Sequence, residues 1–426
     1  MSDVVIVGGG LAGLTCARRL QSEGRPCLVL EAGDAVGGRV RTDVVDGFQL
    51  DRGFQVLLTA YPAAQRWLDY ETLSLGTFSS GARVWCEGAM HRVSDPTREP
   101  GDLVATLKAP VGSLADKMKI ATLRSAARRG TLDELFARPE TSAIEALRAH
   151  GFSAMMIERF LRPWLGGIFL DESLSSSSRM LDFVLRMFAE GHAAVPAAGM
   201  QAIPAQLAAG LAPGSVRLNA PVVALGDGAV TLQSGERVGA DEVVVATDGA
   251  TAAELLPELP ATAWRHVTCV YFAAPASPLG APVLVLNGSG AGIVNNVAVL
   301  SDVAPRYAPA GQSLVSVSVL REAPGDEGSV ARQVQAELTG WFGAEVEQWR
   351  RLALYRIPRA LPVRLPLDRP VPSPVRPGVW AAGDFLTTAS IQGAMESGER
   401  VADALLARSP GRGDARIDAH GAPRRR

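Results

Sequence analysis

Four aliphatic residues, Val4-Val5-Ile6-Val7, run into the turn Gly8-Gly9-Gly10-Leu11-Ala12-Gly13. A short apolar run bounded by glycine predicts a buried strand. A helix is expected next, then a second strand over Cys27 to Leu30 that closes on Glu31. Strand, glycine turn, helix, strand and acid in this order form the G-x-G-x-x-G dinucleotide-binding pattern. Gly8 permits the tight turn, Gly10 lets a pyrophosphate approach the backbone, and Gly13 lets the helix pack close to the strand. Phosphates then lie on a helix N-terminus, where free N–H groups and the helix dipole favour anions. Glu31 can accept from a ribose hydroxyl.

Further along, residues 83–93 alternate enough to be strands of a separate sheet, and 101–190 carry apolar residues at three- and four-residue spacing, which predicts helices. Strand patterns return at Val216–Val223 and Val230–Leu232, with Gly226-Asp227-Gly228 as a hairpin-type turn. Val243 to Thr247 reads as a buried strand, and Val267–Ala273 and Leu314–Leu320 as further strands. A helix is expected over Val330–Phe342, a strand at Val379 to Asp384, and a long helix from Gly393 to Leu406. Nucleotide-binding elements thus recur at the start, middle and end. The expected architecture is α/β (α+β): a discontinuous Rossmann-type cofactor domain (1–75, 191–255 and 351–407) with an inserted substrate domain of mixed sheet and helices (76–190 and 256–350). Residues 408–426, rich in Gly, Pro, Ala and Arg, are expected to be a disordered tail.

The chain of 426 residues is long enough for two domains. With 42 basic and 44 acidic residues there is no global field to favour nucleic acid. Four scattered cysteines without C-x-x-C read as reduced core thiols of a cytosolic protein. No signal peptide or spanning segment is expected. The five histidines show no metal or triad spacing. All three lysines, Lys108, Lys117 and Lys119, fall within 103–129, where basic and apolar residues interleave. That segment is a candidate for peripheral contact with anionic lipid, or else a solvated helix over the substrate domain.

Four patches carry a family resemblance: the glycine turn with Glu31; Gly37-Gly38-Arg39-x-x-Thr42; Val243 to Thr247; and Gly383-Asp384 followed by Gly393-Ala394-x-x-Ser397-Gly398. In this order the chain resembles the FAD-dependent flavin amine oxidase, protoporphyrinogen oxidase and phytoene desaturase superfamily. The resemblance implies an FAD oxidoreductase. It implies non-covalent FAD held by Gly8, Gly10, Leu11, Ala12, Gly13, Glu31, Ala32, Gly37, Gly38, Arg39, Thr42, Gly53, Phe54, Gln55, Val223, Ala246, Thr247, Gly383, Asp384, Ile391, Gln392 and Ala394. Asp51-Arg52-Gly53-Phe54 with Ala60-Tyr61-Pro62, Gly167-Ile168-Phe169 with Ser176-Ser177-Ser178-Arg179, and Pro196-x-x-Gly199-Met200-x-x-Ile203-Pro204 are similar to phytoene-desaturase-like members. The lysine of the amine oxidases is missing: the matching position is Thr268, and no lysine lies beyond Lys119. The aromatic residue those enzymes place before the last helix is also missing from Thr387 to Ile391.

The resemblance therefore favours a desaturase or dehydrogenase that passes a hydride from an apolar, isoprenoid-like (carotenoid-type) substrate to flavin N5, with quinone or oxygen as acceptor. A flavin oxidase acting on an amine or porphyrinogen, and a non-catalytic FAD-binding protein, are the alternatives. An apolar slot is expected, with Phe169, Met180, Phe183, Met187 and Phe188 as candidates, though such residues at helical spacing are ordinarily core. His192 is a candidate acid or base, or a structural histidine. Arg359 is a candidate contact for a quinone or a substrate carboxylate.

Overall fold

The computed structural model describes residues 2–321 and 323–408. The chain's first elements are the strand Ser2–Val7, the helix Leu11–Ser22 and the strand Cys27–Leu30. Two seven-stranded sheets organise the rest. In the first, the parallel strands Val216–Arg217, Cys27–Leu30, Ser2–Val7, Arg237–Val245 and Val379–Ala381 lie in that order. Val222–Gly226 and Ala229–Leu232 add an antiparallel hairpin against the start of Arg237–Val245. Val4, Val5 and Ile6 are fully buried, as a parallel strand covered on both faces requires.

The segment expected as one strand, Val216–Val223, is broken in two. Asn219 adopts a left-handed conformation, φ 53°, and Pro221 has no N–H to give to a ladder. The N–H groups of Asn219 and Ala220 instead bond to Gly33 O and Glu31 O.

The helix Ile391–Arg408 closes the nucleotide layer by lying against Leu11–Ser22. A Cβ on Gly398 would fall 2.0 Å from Ala12 O, so glycine is what lets the two helix backbones meet. Glycine performs the same service at Gly13, whose Cβ would lie 2.0 Å from Gly8 O.

The second sheet runs Arg350–Pro362, Trp264–Ala274, Ser313–Val319, Val294–Val299, Leu284–Asn287, Gly81–Cys86, Ala89–Ser94. It is antiparallel except where Leu284–Asn287 meets Gly81–Cys86. One face packs under the helix Glu327–Phe342 through Val270, Phe272, Val317 and Trp341. The other face, with Cys269, Tyr271 and Ala273, belongs to the large core shared with the nucleotide layer and the helices between 103 and 190. The strand Arg350–Pro362 sits in this sheet, although residues from 351 were assigned to the cofactor domain. Nothing local in the sequence shows which sheet claims it. Arg408 ends the last helix; the rest of the expected tail, 409–426, lies outside the described residues.

Candidate functional site

The parallel strands of the first sheet end at one edge. Val7-Gly8, Leu30-Glu31, Ala246-Thr247 and Gly383-Asp384 follow four of those ends and line one cavity of about 1680 Å³ between the two sheets. This is where open parallel sheets place ligands. Gly8 holds φ 109°, and a Cβ there would lie 2.7 Å from Ala246 O. A Cβ on Gly10 would meet no protein atom within 4 Å, so it would project into the cavity over the first helix N-terminus. Gly10 caps that helix without a side-chain bond, and Leu11 and Ala12 line the cavity behind it. This bare main chain fits a diphosphate.

Glu31 Oε2 accepts from Gly9 N–H at 2.6 Å and Oε1 from Gly33 N–H at 2.8 Å. Each carboxylate oxygen keeps a further acceptor site. Across the cavity Arg39 Nη2 donates to Asp384 Oδ1 at 2.6 Å and Nη1 to Ala360 O at 3.1 Å, with its guanidinium over the Trp264 ring. Burial opposes the Arg39 charge, but Asp384 more than offsets this and holds Arg39 above the usual arginine range. This pair, which sequence reading did not find, ties the Gly37-Gly38-Arg39 loop to the start of the last cofactor segment.

Most of the residues expected at the cofactor line the cavity: Gly8, Gly10, Leu11, Ala12, Glu31, Ala32, Gly37, Gly38, Arg39, Gly53, Phe54, Gln55, Ala246, Thr247, Gly383, Asp384, Ile391 and Ala394. Gly13 is behind the turn, against Gly8. Three expectations are corrected. Thr42 is turned away: its Oγ1 donates to Asp51 Oδ1 at 2.6 Å and accepts from Gln201 N–H at 3.0 Å. Gln392 is buried, its Oε1 accepting from Ala63 N–H at 2.8 Å. Val223 is 54% exposed, and Pro221 and Val222 line the cavity in its place.

The catalytic candidates separate. Arg359 does not line the cavity, although Ile357, Pro358, Ala360 and Leu361 around it do; its side chain is half exposed, 3.5 Å from Asp248. His192 lines the cavity at its far end. Of the expected slot residues, Met180 and Phe188 line it, whereas Phe183 and Met187 are core and Phe169 faces a small separate pocket. Phe160, Trp164, Ile168, Val184 and Leu284 complete that apolar stretch. Their helical spacing cannot be told from core packing in sequence alone.

Val267 lines the cavity, and Thr268 points to the other face of its strand. Among the described residues every carboxylate lining the cavity is already engaged: Asp43 with Arg52 and Tyr355, Asp95 with Arg124, Asp248 with Arg359, Asp384 with Arg39, and Glu31 with two N–H groups. Behind the Gly53-Phe54 loop, burial pushes the Asp51 carboxyl up to about 6, against hydrogen bonds from Thr42, Met200 N–H and Tyr307.

At the opening, Leu103, Val104, Leu107, Leu114 and Met118 are 44–60% exposed. Lys117 Nζ is tied to Leu107 O and Ala109 O, and Lys119 to Gly151 O. The four cysteines are free and buried, and burial pushes the Cys27 and Cys269 thiols up to about 11. Among the described residues there is no group able to hold a metal ion and no helix long and apolar enough to cross a membrane.

Comparison with known proteins adds to this geometry. The family of flavin containing amine oxidoreductases matches over residues 11–406. A putrescine oxidase of Kocuria rosea is 55% identical over 53 residues, 12% of this chain and 11% of that protein. An L-amino-acid oxidase of Crotalus adamanteus is 33% identical over 125 residues, 28% of this chain and 24% of that protein. The chain thus aligns with about a tenth to a quarter of these relatives' lengths. A putrescine oxidase structure bound to putrescine superposes with a TM-score of 0.72 at 19% identity, covering 96% of this chain and 99% of the other. A likeness this remote shows a common fold. The nucleotide edge, the glycine cradle and a family match over nearly the whole chain agree: the protein belongs to the flavin-containing amine oxidoreductase family.

Proposed function

We propose that this oxidoreductase removes a hydride and a proton from an apolar, isoprenoid-like substrate. The observation that carries the reading is that, among the described residues, every cavity carboxylate beyond the cofactor-facing Glu31 is ion-paired, next to a stretch walled by Phe160, Trp164, Ile168, Val184, Phe188 and Leu284. Among the described residues an ammonium group would find no unpaired carboxylate in that stretch, and Val267 stands in the cavity beside Thr268, where the amine-oxidase lysine would be.

The Gly8 to Ala12 turn and Gly38 would hold the FAD diphosphate, Glu31 a ribose, and Asp384 with Arg39 the ribityl side. Ile391 and Ala394, on the first turn of the last helix, would bring its positive dipole end to the ring. FAD supplies a hydride-accepting centre. The apolar wall orients the chain to be oxidised and keeps water from it. Quinone or oxygen would take the electrons. An apolar substrate has to leave a lipid phase, and the exposed side chains at 103, 104, 107, 114 and 118 provide a surface for peripheral contact. Sedimentation with anionic vesicles tests that contact, and absence of binding at low salt removes it.

The relatives' names support a second reading, oxidation of an amine. Anaerobic titration of the purified holoprotein separates the two. Loss of the oxidised flavin band with isoprenoid lipids, and not with di- and polyamines, is the expected result. Bleaching by amines alone overturns the apolar reading.

A further inference from the structure

The end of the cavity farthest from the glycine cradle is basic. The helix Leu114–Ala127 turns Leu114, Lys117, Met118, Ala121, Arg124 and Ser125 to the cavity, at the three- and four-residue spacing of one helical face. Along that face the surface passes from exposed apolar side chains to cations. Arg98 Nη2 and Arg124 Nη2 both donate to Ala189 O, at 2.9 and 3.3 Å, and Arg98 Nη1 donates to Gly191 O at 2.7 Å. Two guanidinium groups therefore converge on one carbonyl oxygen. Arg124 also pairs with Asp95; Arg98 has no carboxylate in an ion pair among the described residues. Arg128 follows, 56% exposed and only 3.9 Å from Glu190. His192 is next to the Gly191 carbonyl in the same wall.

Part of this arrangement caps the helix Ser178–Glu190, whose C-terminal carbonyls carry partial negative charge. Capping does not account for the number of cations. The bonds to Ala189 and Gly191 engage a minority of the ten N–H donors on Arg98 and Arg124. Burial, then the charges of Arg124 and Arg128 against Asp95, leave Arg98 below the usual arginine range. Like charges crowded in this way are relieved by an anion, and guanidinium groups match carboxylate and phosphate oxygens in paired hydrogen bonds. The apolar wall leads directly there: the Trp164 and Phe188 rings meet at a tilt of 59° with centroids 5.4 Å apart, and Phe188 immediately precedes Ala189.

We propose that the substrate is amphipathic, its apolar body lying along Trp164 and Phe188 and an acidic head, carboxylate or phosphate, held at Arg98 and Arg124. This rests on the apolar reading of the site given above.

Three chain-matched probes test it on the holoprotein: dodecanoate, dodecan-1-ol and dodecylamine, each below its aggregation concentration, with calorimetric affinities and flavin absorbance as readouts. Dodecanoate is expected to bind about tenfold more tightly than the alcohol at low ionic strength, as a charge-assisted hydrogen bond warrants. The advantage shrinks in high salt. Arg98→Gln with Arg124→Gln brings the acid down to the affinity of the alcohol and leaves the alcohol unchanged, whereas loss of a helix cap moves both together. Arg98→Lys restores part of the preference. Should the double variant not fold, the wild-type salt series and the exposed Arg128→Gln carry the test. Equal binding of acid and alcohol overturns the acidic head and leaves the apolar reading standing. No binding by either, or preference for the amine, overturns both.

Discussion

At its nucleotide end the cavity is walled by main chain, and at its far end by side chains. Gly8, Gly10, Gly37 and Gly38 present backbone, with a single carboxylate at each of two strand ends, Glu31 and Asp384. The far end presents Phe160, Trp164, Phe188 and a group of cations, Lys117 and Arg124 from a helix and Arg98 from a turn. Main chain tolerates little substitution, because a Cβ must go somewhere; an apolar wall accepts many sequences of similar volume. The first end can therefore be shared by proteins with different substrates, and the second is where they diverge. The relatives illustrate this, since oxidases of putrescine and of L-amino acids both match this chain.

The comparison breaks most visibly at Gly13. Gly13→Val places carbon into Gly8 O, where neither backbone can yield, and is expected to abolish flavin retention and lower stability by more than about 3 kcal/mol. Absorbance near the flavin band per mole of protein, with thermal unfolding, checks this. Asp384→Ala comes next. It strands the part-buried Arg39 without its partner, at a cost of about 3–5 kcal/mol, and the flavin is lost with it. Retention of full flavin content would separate Asp384 from the cofactor.

Asp51 supplies a pH dependence between the two ends. Its folded-state pKa, about 6, exceeds the ordinary value of 3.8, so the folded protein holds a proton that the unfolded chain has released. Stability contributed by that proton is present below about pH 4 and lost as pH rises through 6, a change of about 2–3 kcal/mol. Asp51→Asn should flatten the pH 4–6 segment of a denaturant-unfolding series; an unchanged slope assigns it to other groups. The smallest effect belongs to the far wall. Trp164→Phe is expected to cost about 1 kcal/mol and to leave the flavin-to-protein ratio at the wild-type value, while weakening apolar ligands. A fall in that ratio would mean that the two ends do not work independently.

What could be read from sequence follows the same division. Gly8-x-Gly10-x-x-Gly13 and Gly383-Asp384 announce themselves because the backbone admits few alternatives at those positions. Thr42, Gln392 and Val223 were misplaced for a common reason: they neighbour cavity residues along the chain, and a strand or helix turns each neighbour to another face. Arg359 lies among cavity residues along the chain, but its side chain turns to Asp248. The Arg39–Asp384 and Arg98–Arg124 groupings join residues 345 and 26 positions apart, by the chain numbering, and no local periodicity encodes them. The strand Arg350–Pro362 was not read from the sequence, and its pairing with Trp264–Ala274 is chosen in three dimensions.

The last helix, seated on the first through Gly398, has a consequence for how the protein is made. The strand Val379–Ala381 and the helix behind it leave the ribosome long after the glycine turn, yet they supply Asp384, Ile391 and Ala394 to the same cavity as Gly8. A nascent chain that ends before residue 379 has the glycine turn but neither the carboxylate facing it nor the helix that braces it. Flavin capture thus waits on the segment from 379 onward: chains halted before it stay colourless.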